Sequence, residues 1–208
     1  MTIKNRPEFE KFISRVAKSS DEFRASSTEK RHSKQYRTAR ENLNYLIDED
    51  TFLEFGQFAV AAQRSRRDYE ELQDKTNADG IITGFCSINS ALVGEDDAKA
   101  VAIVYDYSVL AGTQGFFHHA KLDRICEQAK KFYLPVIIFT EGGGGRPGDT
   151  DVLTQIAGLH IPSFSSWAQL TGICLKIAVN NGYCFAGNAV LFGCADFKIA
   201  TKDSWIGM

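Results

Sequence analysis

The 208-residue sequence predicts an α/β fold. Three observations carry that expectation. From about residue 80 onward, apolar runs of strand length alternate with stretches of helical periodicity, the order that builds a sheet with parallel pairs. The run PVIIFT at 135–140 is apolar without alternation, as in a strand covered on both faces. Glycines cluster directly behind such runs, at 142–145 and again at 182 and 187, where a chain without side chains can approach other groups closely.

The elements follow in order. Phe9, Phe12, Ile13, Val16 and Ala17 recur at helical spacing behind Pro7, which predicts a helix over 6–24. Tyr36, Ala39, Leu43, Leu46 and Ile47 form a second stripe, predicting a helix over 28–47 with Ser27 or Thr28 as its cap. TFLEFGQF (51–58) reads as a strand, and the polar QRSRRDYEELQDKTN as a loop or an exposed helical turn. GIITGFCSI and AVAIVYDY read as strands joined through the acidic NSALVGEDDAK. Leu122, Ile125, Cys126, Ala129 and Phe132 mark a helix, PVIIFT a strand and EGGGGRPGD a loop. Helical patterning over 151–171 is interrupted by Pro162. ICLKIAVNN (173–181) is a further buried strand, GYCFAGNAVLFGCAD turns into a short helix, and FKIAT returns as a strand. SWIGM opens another strand with no closing helix behind it, so the sequence is expected to be part of a longer chain. Charge concentrates before residue 75 and glycine after it. A helical lead-in over 1–50 is expected to precede a packed body over 51–208.

Composition excludes several classes. The net charge of −2 gives no global attraction to nucleic acid. No stretch of 18 apolar residues suggests a membrane span, and the charged first 20 residues do not read as a signal peptide. Cys86, Cys126, Cys174, Cys184 and Cys194 sit in apolar sequence surroundings without a C-x-x-C, which fits small buried thiols in a reducing compartment. With four histidines and no ligand spacing, no metal is expected.

Residues 143–148 formally match G-x-G-x-x-G, yet no Asp or Glu stands between Asp151 and Asp196 to bond a ribose, and no Gly-Lys-Ser/Thr closes a P-loop. Consecutive glycines fit either a tight turn or a loop whose amides approach a ligand, where they stabilise a developing negative oxygen. A second loop, Asn181 to Ala189, opens a helix whose first N–H groups lack partners. No Ser-His-Asp or Cys-His arrangement competes at sensible spacing.

NGYCFAGNAVLFGCADFKIATKDSWIGM resembles the N-G-Y-A-L-G-G-G-C-E-L-A-x-x-C-D segment of the crotonase superfamily. Gly187 takes the place of the central glycine that gives an oxyanion amide to an acyl-CoA thioester. Val190 takes the place of the hydratase glutamate, which argues against a hydratase. The chain is more similar to the carboxyltransferase domain of biotin-dependent acyl-CoA carboxylases of the propionyl-CoA carboxylase β type. T-A-R-E-R-I-x-x-L-L-D is echoed at Thr38–Asp48, D-x-V-V-T-G at Asp79–Gly84, F-G-G-S-x-x-x-x-H at Leu110–Thr113 with His118, and D-S-G-G-A-R at Glu141–Arg146. Gly142 and Gly145 replace the pattern's Ser and Ala, and Pro147-Gly148-Asp149 extends the loop.

The resemblance implies stacked βα units of crotonase-like type with N-terminal helices, and 51–208 as the N-terminal half of such a domain. It implies transfer of CO2 from N-carboxybiotin to the α-carbon of an acetyl- or propionyl-type acyl-CoA through a thioester enolate, with the freed biotin nitrogen taking the α-proton. Gly143, Gly144 and Gly187 would be the oxyanion donors. Arg146, Lys121, Arg37 and Arg40 would meet coenzyme A, although a solvated helix face, a structural ion pair or a surface lysine are the alternatives for the same residues. His118 and His119 read as packing or capping residues. The implied partners are a biotin carboxyl carrier, a biotin carboxylase, the C-terminal half of the domain and further copies, in the cytoplasm or the mitochondrial matrix. The segment alone is expected to be inactive. The alternatives are another crotonase-fold acyl-CoA enzyme, a decarboxylase or thioesterase, and a non-catalytic CoA-binding or assembly module.

Overall fold

The computed structural model describes residues 6–152 and 161–208. Its sheet begins as an antiparallel meander and ends as a parallel stack. Strands β1 (Leu53–Phe55), β2 (Ile81–Ser87) and β3 (Lys99–Tyr105) pair antiparallel, and β4 (Val136–Phe139) and β5 (Lys176–Asn180) join in parallel. β6 (Tyr183–Phe185) leaves the sheet, whereas β7 (Phe197–Ala200) returns to it beside β5. The order is β1-β2-β3-β4-β5-β7, and β6 pairs with β8 (Trp205–Gly207) in a separate parallel ribbon. The parallel pairs sit where the sequence alternates strand with helix; the first three strands are instead linked without a crossover helix.

The helices are α1 (Pro7–Ala17), α2 (Ala25–His32), α3 (Ala39–Leu46), α4 (Tyr69–Lys75), the single turn α5 (Ser90–Val93), α6 (Phe116–Phe132), α7 (Ser163–Ala168) and α8 (Gly187–Gly193). The strand period of two divides the sheet's side chains between two cores. Val101, Ile103 and Tyr105 of β3 pack with Leu122, Ile125, Cys126 and Ala129 of α6. Ala100, Ala102 and Val104 pack with Ala39 and Leu43 of α3. Each fully buried Leu or Ile here stabilises the fold by about 1.5–3 kcal/mol.

The second predicted helix, 28–47, is two helices. The chain leaves α2 through Gln35 at φ +60, and the α2 residue Arg31 donates to the Arg37 carbonyl at 3.0 and 2.8 Å, which turns the backbone before α3 can start. Neither Ser27 nor Thr28 is a cap; α2 begins behind Arg24 with no side-chain cap. The working cap is Thr38, whose Oγ1 accepts from Glu41 N–H at 3.0 Å while the Glu41 carboxylate accepts from Thr38 N–H at 2.8 Å. The first helix is likewise shorter than 6–24, and none of its residues is buried. The polar stretch after β1 contains α4. Of the expected patterning over 151–171, residues 153–160 lie outside the described residues, and α7 follows Pro162. Cys194 is exposed, unlike the four other thiols.

Thr38 Oγ1 also donates to Asp21 at 2.5 Å, tying α3 to the turn before α2. Thr38→Ala should therefore lower unfolding free energy by about 1–2 kcal/mol in a denaturant titration; a change within a few tenths would show that the cap does not hold α3.

Candidate active site

The glycine loop is fastened to its neighbours almost entirely through backbone. Gly142 N–H donates to Tyr183 O at 2.7 Å and Gly142 O accepts from Phe185 N–H at 2.9 Å, so the chain beyond β4 zips onto β6. On the other side lies the turn 110–112, with Leu110 and Ala111 at φ +48 and +56. Gly112 there approaches so closely that a Cβ would stand 2.6 Å from Glu141 O. Gly144 has φ +86 and packs on Ala186; a Cβ on it would lie 2.7 Å from the Ala186 methyl carbon and 3.7 Å from Gly187 N. The consecutive glycines thus answer a demand for close approach and for a left-handed backbone.

This packing redistributes the amides. Gly143 N–H donates to Ala111 O at 3.0 Å, and Gly144 N–H to Asn188 Oδ1 at 3.1 Å. Both are engaged, so the expectation that these two glycines offer their amides to a ligand is corrected: close packing against the 110–112 turn and Asn188 takes their hydrogens. Within Gly142–Arg146 and the first turn of α8, the amides without an acceptor are those of Gly145 and of Gly187 to Ala189. Gly145 is exposed and Gly187 half-buried. Ala186, which caps α8, holds φ +49 and ψ −120, a glycine-like conformation that turns these amides out of β6.

Three of the four expected coenzyme contacts are spoken for. Arg146 is buried and its guanidinium binds Asp79, Asp149 at 3.5 Å and Thr113 O at 2.6 Å. Lys121 is buried with Nζ on the carbonyls of Ala78, at 2.8 Å, and Ile81. Burial lowers its pKa to about 8, although Glu54 and Asp79 work in the other direction. Arg40 forms a two-pronged pair with Glu54 at 2.7 and 3.0 Å. Their carboxylate and carbonyl partners, invisible to a reading of local sequence, make them internal. Arg37 is exposed and stacks 4.1 Å from the Tyr45 ring, and has no ion pair among the described residues. His118 and His119 are buried, and His119 contacts Ser163 Oγ at 2.9 Å.

Beside the loop lies a cleft of about 240 Å³, lined by Lys30, Arg31 and Lys34 of α2, with Tyr107, Glu141 and Tyr183 across from them. Arg31 and Glu141 form a buried pair at 2.8 and 2.6 Å, with the guanidinium between the Tyr36 and Tyr107 rings. Burial pushes the Glu141 carboxyl up from its ordinary range, and Arg31 opposes this. Lys30 and Lys34 are exposed and make no ion pair among the described residues, so the mouth of the cleft carries unneutralised positive charge.

Residues 30–208 match the carboxyl transferase domain family. The chain belongs to that family. It is similar to the methylmalonyl-CoA carboxyltransferase 12S subunit of Propionibacterium freudenreichii subsp. shermanii, 31% identical over 178 residues that cover 85% of this chain and 31% of that subunit. It is also similar to the propionyl-CoA carboxylase carboxyltransferase subunit of Haloferax mediterranei, 27% identical over 176 residues, 83% of this chain and 31% of that one. A solved single-chain, multi-domain long-chain acyl-CoA carboxylase superposes with a TM-score of 0.92 at 47% identity, covering 99% of this chain and 20% of that one. The chain therefore spans about a third of the curated relatives it matches. The mixed α/β fold is that of the crotonase-like carboxyltransferases.

Within the carboxyl transferase domain, the sequence left three site features unseen: the open amide of Gly145, the Arg31–Glu141 pair and the buried Asn188. Only the last left a trace, an Asn where the crotonase pattern carries its third glycine.

Gly144→Val combines a left-handed backbone with a collision against Ala186, so it should drive the loop off Ala186 and lower the unfolding free energy by about 1–3 kcal/mol in a denaturant titration. A change within a few tenths of a kcal/mol would show that the loop does not depend on glycine at this position. Lys121 gives a pH test. Its folded pKa, about 8, lies below the ordinary 10.5, so the unfolded chain binds the extra proton between these values. The parent should gain stability relative to Lys121→Met as pH rises from about 8 to about 10.5, and a slope of opposite sign in paired denaturation curves would contradict the assignment.

Proposed function

We propose that this chain is the part of an acyl-CoA carboxylase that receives the acyl-CoA and stabilises its enolate while CO2 is moved to the α-carbon. The observation that carries the reading is the pair of unsatisfied N–H groups at Gly145 and Gly187, on two segments packed against each other. Loss of the α-proton places an electron pair on the thioester oxygen, and fixed N–H donors lower the energy of that charge without reorganising. Carboxybiotin, held on a partner domain, supplies the CO2 and the nitrogen that takes the proton. The cleft fits chemistry with a base brought from elsewhere, because Glu141, its carboxylate among the described lining residues, is locked to Arg31.

Lys30, Lys34 and Arg37 are the cations left for the coenzyme A phosphates, in place of Arg40, Arg146 and Lys121. Tyr107 and Tyr183, with ring centroids 6.0 Å apart, offer an apolar wall to the rest of the ligand. In this reading residues 1–50 are a helical lead-in and 51–208 the first half of the carboxyltransferase domain. It works with the second half, a biotin carboxyl carrier, a biotin carboxylase and further copies, in the cytoplasm or mitochondrial matrix.

The test is a pair of substitutions at Gly145, where a Cβ meets nothing within 4 Å. Gly145→Ala keeps the N–H and should keep turnover. Gly145→Pro deletes it, and kcat should fall ~10²–10³-fold while the KM for acyl-CoA changes little. A folded proline variant with normal kcat would refute the role.

A further inference from the structure

We infer that Asn188 is a positioning residue for the enolate site, holding the glycine loop and the first turn of α8 at one fixed spacing. The inference rests on the amide pair proposed above. Asn188 is wholly buried. Its Oδ1 accepts from Gly144 N–H at 3.1 Å and its Nδ2 donates to Thr140 O at 3.1 Å. One planar group, rooted in the second residue of α8, therefore grips the loop at both ends of Glu141–Gly143. The same carboxamide fills the space beside Gly142, where a Cβ would collide with it.

An all-glycine backbone has no side chains of its own to select φ and ψ. Asn188 supplies the selection from outside. Gly145, with one open amide, directly follows the Gly144 that Asn188 holds. Gly187, with the other, directly precedes Asn188. The distance between the two donors is thus set through this side chain, and a displacement of about 1 Å at reacting groups costs ~10²-fold in rate. The residue type is constrained too. The site needs one acceptor and one donor side by side, with no charge that would oppose the developing oxyanion. A carboxamide meets all three conditions, whereas an ionised carboxylate would turn a lone pair toward Thr140 O.

Three variants in the assembled carboxylase test this. Asn188→Ala should lower kcat about 10- to 100-fold with the acyl-CoA KM nearly unchanged. Trp167→Phe removes another buried hydrogen bond to α8, Trp167 Nε1 to Leu191 O at 3.0 Å, at the helix's other end. At a comparable loss of Tm it should keep kcat. Asn188→Asp adds a pH readout. When protonated, the acid accepts from Gly144 N–H and donates to Thr140 O as the amide does; when ionised it cannot. Burial raises such a carboxyl's pKa, so the ratio of variant to parent kcat should rise about tenfold from roughly pH 8.5 to roughly pH 6. If Asn188→Ala does not fold, that ratio decides. A flat ratio, or losses at Asn188 and Trp167 that track Tm alike, would overturn the positioning role while leaving the enolate site standing. A parent enzyme without acyl-CoA carboxylation would overturn both.

Discussion

The glycine loop depends on one buried guanidinium. Arg146 closes the loop and is held by Asp79, from the turn before β2, by Asp149, from the segment behind the loop, and by Thr113. The same two carboxylates cap α6: Asp149 accepts from Phe116 N–H at 2.8 Å and Asp79 from His118 N–H at 2.7 Å. Three segments and a helix start therefore share one charge cluster. Burial raises the Asp79 carboxyl even against Arg146, and removing the arginine would strand two carboxylates, at a cost of about 3–5 kcal/mol for a broken buried pair.

Strain collects around this cluster. Ala78 and Asp79 both sit in the left-handed region, at φ +53 and +50. Conformations of that kind cost about 1–3 kcal/mol each, and persist because their surroundings over-determine them. Lys121 fixes Ala78 O from one side, and His118 Nδ1 meets Asp79 O at 3.1 Å from the other. Burial and the neighbouring Arg146 hold His118 well below its ordinary pKa, so it is neutral and Nδ1–H is the donor. Arg146 and Lys121, which looked like coenzyme contacts in the sequence, are thus part of the scaffold that lets a loop without side chains keep a shape.

The fold was legible wherever a residue's state depends on its own neighbours in the chain. PVIIFT, ICLKIAVNN and the helix over Leu122–Phe132 stand where their patterns put them, and the motif order from Thr38 to Asp196 carried the family. Legibility ended where long-range partners decide. A basic run predicts positive surface, but Arg31 and Arg40 are turned inward by Glu141 and Glu54, more than 100 residues and 14 residues away respectively. The split of the second helix depends on the Arg31 side chain hooking Arg37 O, which no periodicity shows. Likewise the glycine count announced a close approach, but which amides stay open was settled by Ala111 and Asn188.

The cap on α6 has a bearing on how the chain reaches this state. Most helices finish their first turn with a residue beside it; this one waits for Asp79, 39 residues before its partner, and Asp149, 33 residues after. Closing loops of that length costs entropy before any contact rewards it, and slows the search. The helix start, the strained turn before β2 and the glycine loop therefore become ordered in one cooperative event. The glycine loop cannot take its final shape ahead of the α6 start that shares its carboxylates, and the loop surface is tied to the core beneath it.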